Sequence, residues 1–346
     1  MKLKKILVTV IMTTVISTLF VGCGTSKDTA SKSATSLDAP KVVNIGTQQM
    51  PNDEKIAIEK GFFEEELGVK VNIIEFNAGD IRNALVSKDI DFALLGSSSA
   101  TLGIASGIDI EMIWIHEILG DSERLVAKNG SNINSIKDIV GKKVATPFAT
   151  TTHYSLLKAL ELNGISEKDI TLLDMQMPDV YAAWQRGDID AAYAWEPTLS
   201  NLLKDGKTII SSKDMAQKGV VTSNVEVVRG DFAKKYPNIV TKYIKAVNKS
   251  VKLYNENRVD AVKTISDALQ ITQEEASKQM KGSIWLTAQQ QLDPAYFGTS
   301  NKKGDLVNSL KDTADFLYKQ KSIISEPKLS TFEKAVNPAY IENALK

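Results

Sequence analysis

The segment Arg186 to Pro197 reads RGDIDAAYAWEP, and a similar phrase, SKDIDFALLGSS, stands earlier, from Ser87 to Ser98. With Asp179 laid on Asp80, a shift of 99 positions, Asp188, Ile189, Asp190 and Ala192 fall on Asp89, Ile90, Asp91 and Ala93. A chain that repeats a phrase at this distance is expected to fold as two like-built lobes. Each lobe would need one copy of the same geometry.

The surrounding pattern gives that geometry a class. Short apolar runs alternate with amphipathic stretches from Val42 onward: strands over 42–47, 69–76, 90–96 and 110–118, with helices over 53–67, 80–87 and 97–106. The second half repeats the scheme, with strands over 142–148, 170–175 and 189–195 and helices over 153–163 and 180–185. Such alternation predicts an α/β protein whose sheets are mixed, mostly parallel, and flanked by helices. ERLVAK (123–128) and VEVVRGDF (225–232) lead into and out of the second unit and suit a hinge of two strands. The remainder is helical by pattern and is expected to return to the first lobe. The lobes are therefore predicted as residues 41–126 with 226–346, and residues 127–225.

The beginning of the chain has a different character. Lys2, Lys4 and Lys5 precede an apolar run from Ile6 to Phe20 that is too short to span a bilayer, which reads as an export signal. Phe20-Val21-Gly22-Cys23 resembles a bacterial lipobox, so residues 1–23 are predicted to be a lipoprotein signal whose Cys23 carries a lipid. Residues 24–40 are small and polar, as a tether would be. Cys23 is the only cysteine, which leaves the exported part without a disulfide or a cysteine-ligated metal. With 42 basic against 42 acidic residues and no basic block, nucleic acid is not an expected partner.

Catalytic patterns are missing. Two histidines, His116 and His153, make no His-rich metal site, and no serine or cysteine has an evident base. The GKT at 206–208 lacks the earlier glycine of a phosphate loop and reads as a turn. No enzyme activity, cofactor or metal is expected.

Binding features are more plentiful. Thr150, Thr151 and Thr152 open a helix, where hydroxyls and free N–H groups make an anion cradle, or merely a cap. Ser97 and Ser98, in GSSS, offer the same from the first lobe. Trp195-Glu196-Pro197 ends a strand and pairs an aromatic face with a carboxylate, which suits an amine; the plainer alternative is a core tryptophan and a solvated glutamate. Gln48 follows the first strand as a polar first-lobe contact. Glu117 is a further carboxylate at a strand end, or simply a solvated one. His116 reads as structural, whereas His153, in a helix's first turn, is placed to touch an anion.

FATTTHYSLLKAL (148–160), AAWQRGDIDAAYAWEP (182–197), LGSSSA (95–100), LGDSERLV (119–126) and LTAQQQ (286–291) closely resemble the taurine-binding proteins of bacterial ABC importers, relatives of the aliphatic-sulfonate, nitrate and thiamine-precursor binding proteins. The resemblance covers essentially the whole exported chain. It implies a two-lobe periplasmic-binding-protein fold of type II, monomeric, and passing its ligand to a permease and an ATPase subunit, while the lipobox predicts a lipid anchor on the outer face of the cytoplasmic membrane. For taurine it implies a sulfonate held by Gln48, Ser97, Ser98, Thr151 and Thr152, and an ammonium met by Trp195 and Glu196. Two positions depart from the family's pattern. Asn224 stands where an aspartate is expected, and Glu196 where a small residue is expected, so either the carboxylate that serves the amine has moved to a neighbouring strand or the ligand differs, for example a longer sulfonate or another amine.

Overall fold

The computed structural model describes residues 39–346. The predicted signal, Cys23 and all but the last two residues of the predicted tether lie outside the described residues. Among the described residues no helix is long and apolar enough to cross a membrane.

Two mixed sheets organise the chain. In the first, six strands lie side by side, namely β1 (Val42–Thr47), β2 (Lys70–Glu75), β3 (Phe92–Gly96), β4 (Ile110–Leu119), β10 (Ser223–Arg229) and β11 (Ser283–Ile284), in the order β11-β4-β10-β3-β1-β2. The second holds β5 (Glu123–Lys128), β6 (Lys143–Thr146), β7 (Thr171–Asp174), β8 (Ala191–Trp195) and β9 (Gly206–Ser211), in the order β7-β6-β8-β5-β9. In each sheet the strands of the repeated unit pair in parallel, β2-β1-β3 in one and β7-β6-β8 in the other. β10 pairs antiparallel with β3, and β5 with β8. The chain passes between the sheets in residues 120–122 and 217–222, so β5 and β10 are each the first strand after a crossing and each lies in a single sheet. At the first crossing the backbones pack closely: Ser122 N–H donates to the Gly282 carbonyl (3.1 Å), and a Cβ on Gly120 would stand 2.7 Å from that oxygen.

The repeated phrase has a structural explanation. Asp91 N–H donates to the Asn44 carbonyl while Asn44 N–H donates to the Asp91 carboxylate (2.9 Å); Asp190 and Lys143 make the same reciprocal pair (2.8 Å). Asp89 and Asp188 close the preceding helices by donating to Ala84 and Ala183. The strand registers also coincide, Ile45 opposite Phe92 and Val144 opposite Ala191. Each pair is shifted from its counterpart by the same 99 residues. The phrase therefore marks the entry of the central strand of each lobe, at the end away from the chain's binding features.

Helices cover the sheets. α1 (Asp53–Glu59) and α2 (Phe62–Leu67) replace the single helix expected over 53–67, because Gly61 takes a left-handed φ of 68° between them. α3 (Ile81–Ser87), α4 (Ser97–Ala105), α5 (Thr151–Leu162), α6 (Met177–Arg186), α7 (Thr198–Leu202) and α8 (Ser212–Ala216) follow. α9 (Gly230–Lys235) and α10 (Pro237–Glu256) begin the helical C-terminal part. α10 lays its apolar face on α1 and α2, and its Tyr243 ring stacks between Phe92 (4.5 Å) and Phe63 (4.8 Å). The second sheet is apolar on both faces: Leu125, Val144 and Tyr193 pack on one side, and Val126, Ala145 and Ala194 on the other. That two-sided burial follows from the period-2 alternation of an apolar strand. The GKT expected as a turn opens β9 instead, where a side chain at Gly206 would collide with Val126 and Trp184.

Candidate ligand-binding site

Two helix starts from different sheets meet. Gly96 ends β3 and is the N-cap of α4, with no side chain to satisfy the first N–H groups. Thr150 caps α5, its hydroxyl accepting from His153 N–H (3.4 Å). A Cβ on Gly96 would stand 3.0 Å from Thr151 Cγ2, so these two N-termini nearly touch. Each contributes unpaired N–H groups and the positive end of its dipole, and their common ground is an anion site.

Around that meeting point lies a cavity of about 20 Å³, enough for a water-sized group, lined by Gln48, Met50, Gly96, Ser99, Glu123, Thr151, Trp195 and Asn224 among others. A second small cavity adjoins it across Met50, Trp195 and Asn224 and is lined further by Pro51, Glu117, Leu119, Ser122 and Glu196. The central cavity shares Gln48, Ala78 and Trp195 with a larger groove of about 370 Å³.

The predicted residues divide by position. Gln48, Thr151, Trp195 and Asn224 line the central cavity, and Glu117 and Glu196 line the adjoining one. Gln48 uses one amide hydrogen on the Leu94 carbonyl (2.9 Å). Three residues are absent from the lining of both cavities: Ser97, whose Oγ accepts from Ser223 N–H (3.2 Å); Thr152, whose hydroxyl is engaged with those of Thr146 (2.7 Å) and Thr150 (2.9 Å); and Ser98, whose hydroxyl is buried without a partner. Ser99, the last serine of the GSSS run, lines the cavity and accepts from Arg82 (3.1 Å). His153 stacks on Phe148 (4.4 Å), its Nδ1 accepts from Ala149 N–H (3.3 Å), burial lowers its pKa to about 4, and it lines neither cavity.

The larger omission is Glu123. It was read only as part of a strand, yet it is 2% exposed, faces the central cavity and lies opposite Trp195 in the β5-β8 register. Thr151 Oγ donates to its Oε1 (2.5 Å) and Ser212 Oγ to its Oε2 (3.1 Å). Burial pushes its pKa up to about 7, against the two hydroxyls and with the help of nearby Glu117. The signal that could have found it is a glutamate opening an otherwise apolar strand. Glu117 Oε1 accepts from Asn224 Nδ2 (2.8 Å) and Glu196 Oε2 from Ser200 N–H (3.0 Å); burial raises the pKa of both. Glu117 and Glu196 are 5% and 6% exposed, so neither is the solvated strand-end carboxylate of the plainer alternative.

His116 is built into the core as expected. Its Nδ1 meets Asp53 (2.6 Å) and its Nε2 meets Glu226 (2.7 Å), while Trp114 Nε1 donates to Asp53 (2.8 Å). Burial opposes the charge, but the two carboxylates reverse that and hold the ring protonated. Glu54, close to the same ring, accepts from Thr47 (2.6 Å) and Tyr243 (3.0 Å). This network is buried, and Glu226 Oε1 in it has no hydrogen-bond partner.

A small polar cleft between two α/β sheets joined by two crossings, with opposed helix starts across it, is the ligand site of the two-lobe periplasmic-binding-protein fold. Residues 55–261 match the model of the family described as NMT1/THI5 like, and the chain belongs to that family. It is 34% identical over 285 residues to the taurine-binding periplasmic protein of Escherichia coli (strain K12), covering 80% of this chain and 86% of that one. It is 28% identical to a putative aliphatic sulfonates-binding protein of Bacillus subtilis (strain 168), covering 95% and 94%. The alkanesulfonate-binding protein of Xanthomonas axonopodis pv. citri bound to MOPS has the same fold, with a TM-score of 0.73 at 20% identity over 86% of this chain and 99% of that one.

Proposed function

We propose that this protein is the substrate-binding component of an ABC importer, exported and held at the membrane by a lipid on Cys23, that captures taurine or a close aminoalkanesulfonate and hands it to its permease. The observation that carries this reading is the meeting of two helix starts from two sheets beside buried carboxylates and an indole. A sulfonate fits the N–H groups of α4 and α5, with Gln48, Ser99 and Thr151 completing its shell. The ammonium fits Glu123, Glu196 and the Trp195 face. Kinship with a taurine-binding protein supports the same ligand class.

Calorimetry with taurine and ethanesulfonate on protein beginning at Gly24 tests this reading. Taurine is expected to bind at least about tenfold tighter, because a charge-assisted hydrogen bond contributes roughly 1.5 to 3 kcal/mol. Glu196→Gln should lose about as much for taurine and little for ethanesulfonate. Equal affinity for the two ligands would favour a receptor for sulfonates without an amine. No binding of either would leave the fold without this ligand.

A further inference from the structure

The adjoining cavity is more than the end of the central one. Glu117 enters it from β4 in the first sheet and Glu196 from the end of β8 in the second, so the two carboxylates reach it from opposite lobes. Each is tied from behind by a neutral donor of its own lobe, Asn224 to Glu117 (2.8 Å) and Ser200 to Glu196 (3.0 Å). The remaining lining, Met50, Pro51, Leu119, Ser122, Trp195 and Asn224, includes no lysine or arginine. Arg124 and Lys278 share an outer groove with Glu196 and temper its charge from that side. They do not line the inner cavity; Glu117 is tempered from behind by the protonated His116.

Burial already raises the pKa of both carboxyls, and bringing them together ionised in a closing, largely apolar space is unfavourable unless a cation comes with them. The central cavity already has its own carboxylate, Glu123, within reach of a simple ammonium. What remains is the adjoining acidic cavity, which shares Met50, Trp195 and Asn224 with the first. A single ammonium is a compact charge and cannot meet Glu117 as well as Glu123 and Glu196. A flat guanidinium can: it stacks on an indole face and spreads its N–H groups in one plane toward several carboxylates.

We infer that Glu117 and Glu196 form a second cation subsite that makes the protein favour a sulfonate with a guanidinium end over one with an ammonium end. This inference rests on the sulfonate reading above. The subsite acts as a clamp as well: a guanidinium between Glu117 and Glu196 bridges the lobes, so the cationic end of the ligand draws them shut.

The test is calorimetry on the full chain with 2-guanidinoethanesulfonate, taurine and ethanesulfonate, paired with small-angle scattering to follow closure. The guanidino compound is expected to bind about tenfold or more tighter than taurine and to give the more compact protein. The double variant Glu117→Gln, Glu196→Gln, with its melting temperature checked, should erase that preference. If taurine binds and the guanidino compound binds no better, the second subsite is wrong and the sulfonate reading stands. A preference that survives in the double variant overturns the assignment to these two residues. If no sulfonate binds at all, both readings fall together.

Discussion

At the scale of single residues, the most informative group is Glu123. Its carboxylate is buried, accepts from Thr151 and Ser212, and feels Glu117, so its pKa stands near 7 in the empty protein. An ammonium ligand needs the ionised form. Above about pH 7 that form is already present; below it the ligand must expel a proton, and affinity falls by up to about tenfold per pH unit. Titrations of taurine from about pH 5.5 to about pH 8 should show this fall, and Glu123→Gln should flatten it while weakening binding at the upper end. A flat profile in the parent protein would remove Glu123 from the site. The same raised pKa makes the empty fold lose stability as pH rises from about 4.5 through about 7, because over that window the unfolded chain has already released the proton that the native state retains. At this scale the sequence was only partly legible. Trp195, Glu196 and the threonines stood out because they end a strand or start a helix. Glu123 did not, since its burial depends on Thr151 and Ser212, which lie 28 and 89 residues further along. His116 could be read as structural from its apolar neighbours, but its partners Asp53 and Glu226, 63 and 110 residues away, could not.

At the scale of elements, the repeated phrase was visible in the sequence as a phrase but not as a function. Its aspartates fix the entry of β3 and β8 by bonding back to β1 and β6, at the ends of the strands remote from the cleft. Strands β3 and β8 are five residues long, so the two ends stand roughly 16 Å apart at about 3.3 Å per residue. The two copies differ in what else they hold. Asp91 is 7% exposed and also accepts from Arg229 (3.1 Å), whereas Asp190 is more open. Asp91→Ala should therefore destabilise the protein by about 3 kcal/mol, chiefly by leaving Arg229 short of a partner, and Asp190→Ala by about 1 kcal/mol. Denaturant melts measure both. Ligand affinity should be the same in each variant as in the parent, and a large loss of affinity without loss of stability would mean that the phrase reaches the cleft after all. The break of the first long helix at Gly61 was not legible in the apolar spacing, because 53–67 keeps a helical pattern across it and only the left-handed backbone of one residue ends the turn.

At the scale of the whole molecule, two lobes were readable from alternation and repetition, since each sheet's order follows from local β-α-β units. How closely the lobes approach was not. Here the decisive residue is Gly96, whose φ of −64° and ψ of 143° are open to any side chain. No turn or strain requires a glycine there. What requires it is Thr151 of the opposite lobe, because an added Cβ would sit 3.0 Å from Thr151 Cγ2 in the closed protein. A side chain at this position is thus compatible with each lobe separately and obstructs only their meeting. Gly96→Val should leave the melting behaviour of the empty protein within about 1 kcal/mol of the parent, helped by valine's preference for extended backbone. Its affinity for taurine should fall by about tenfold or more, as contacts from one lobe are lost when closure stops short. Scattering should show a ligand-saturated variant more extended than the parent under the same conditions. An affinity and a compactness equal to the parent's would mean that binding does not need the two helix starts to meet, and the sulfonate would then have to be held by one lobe alone.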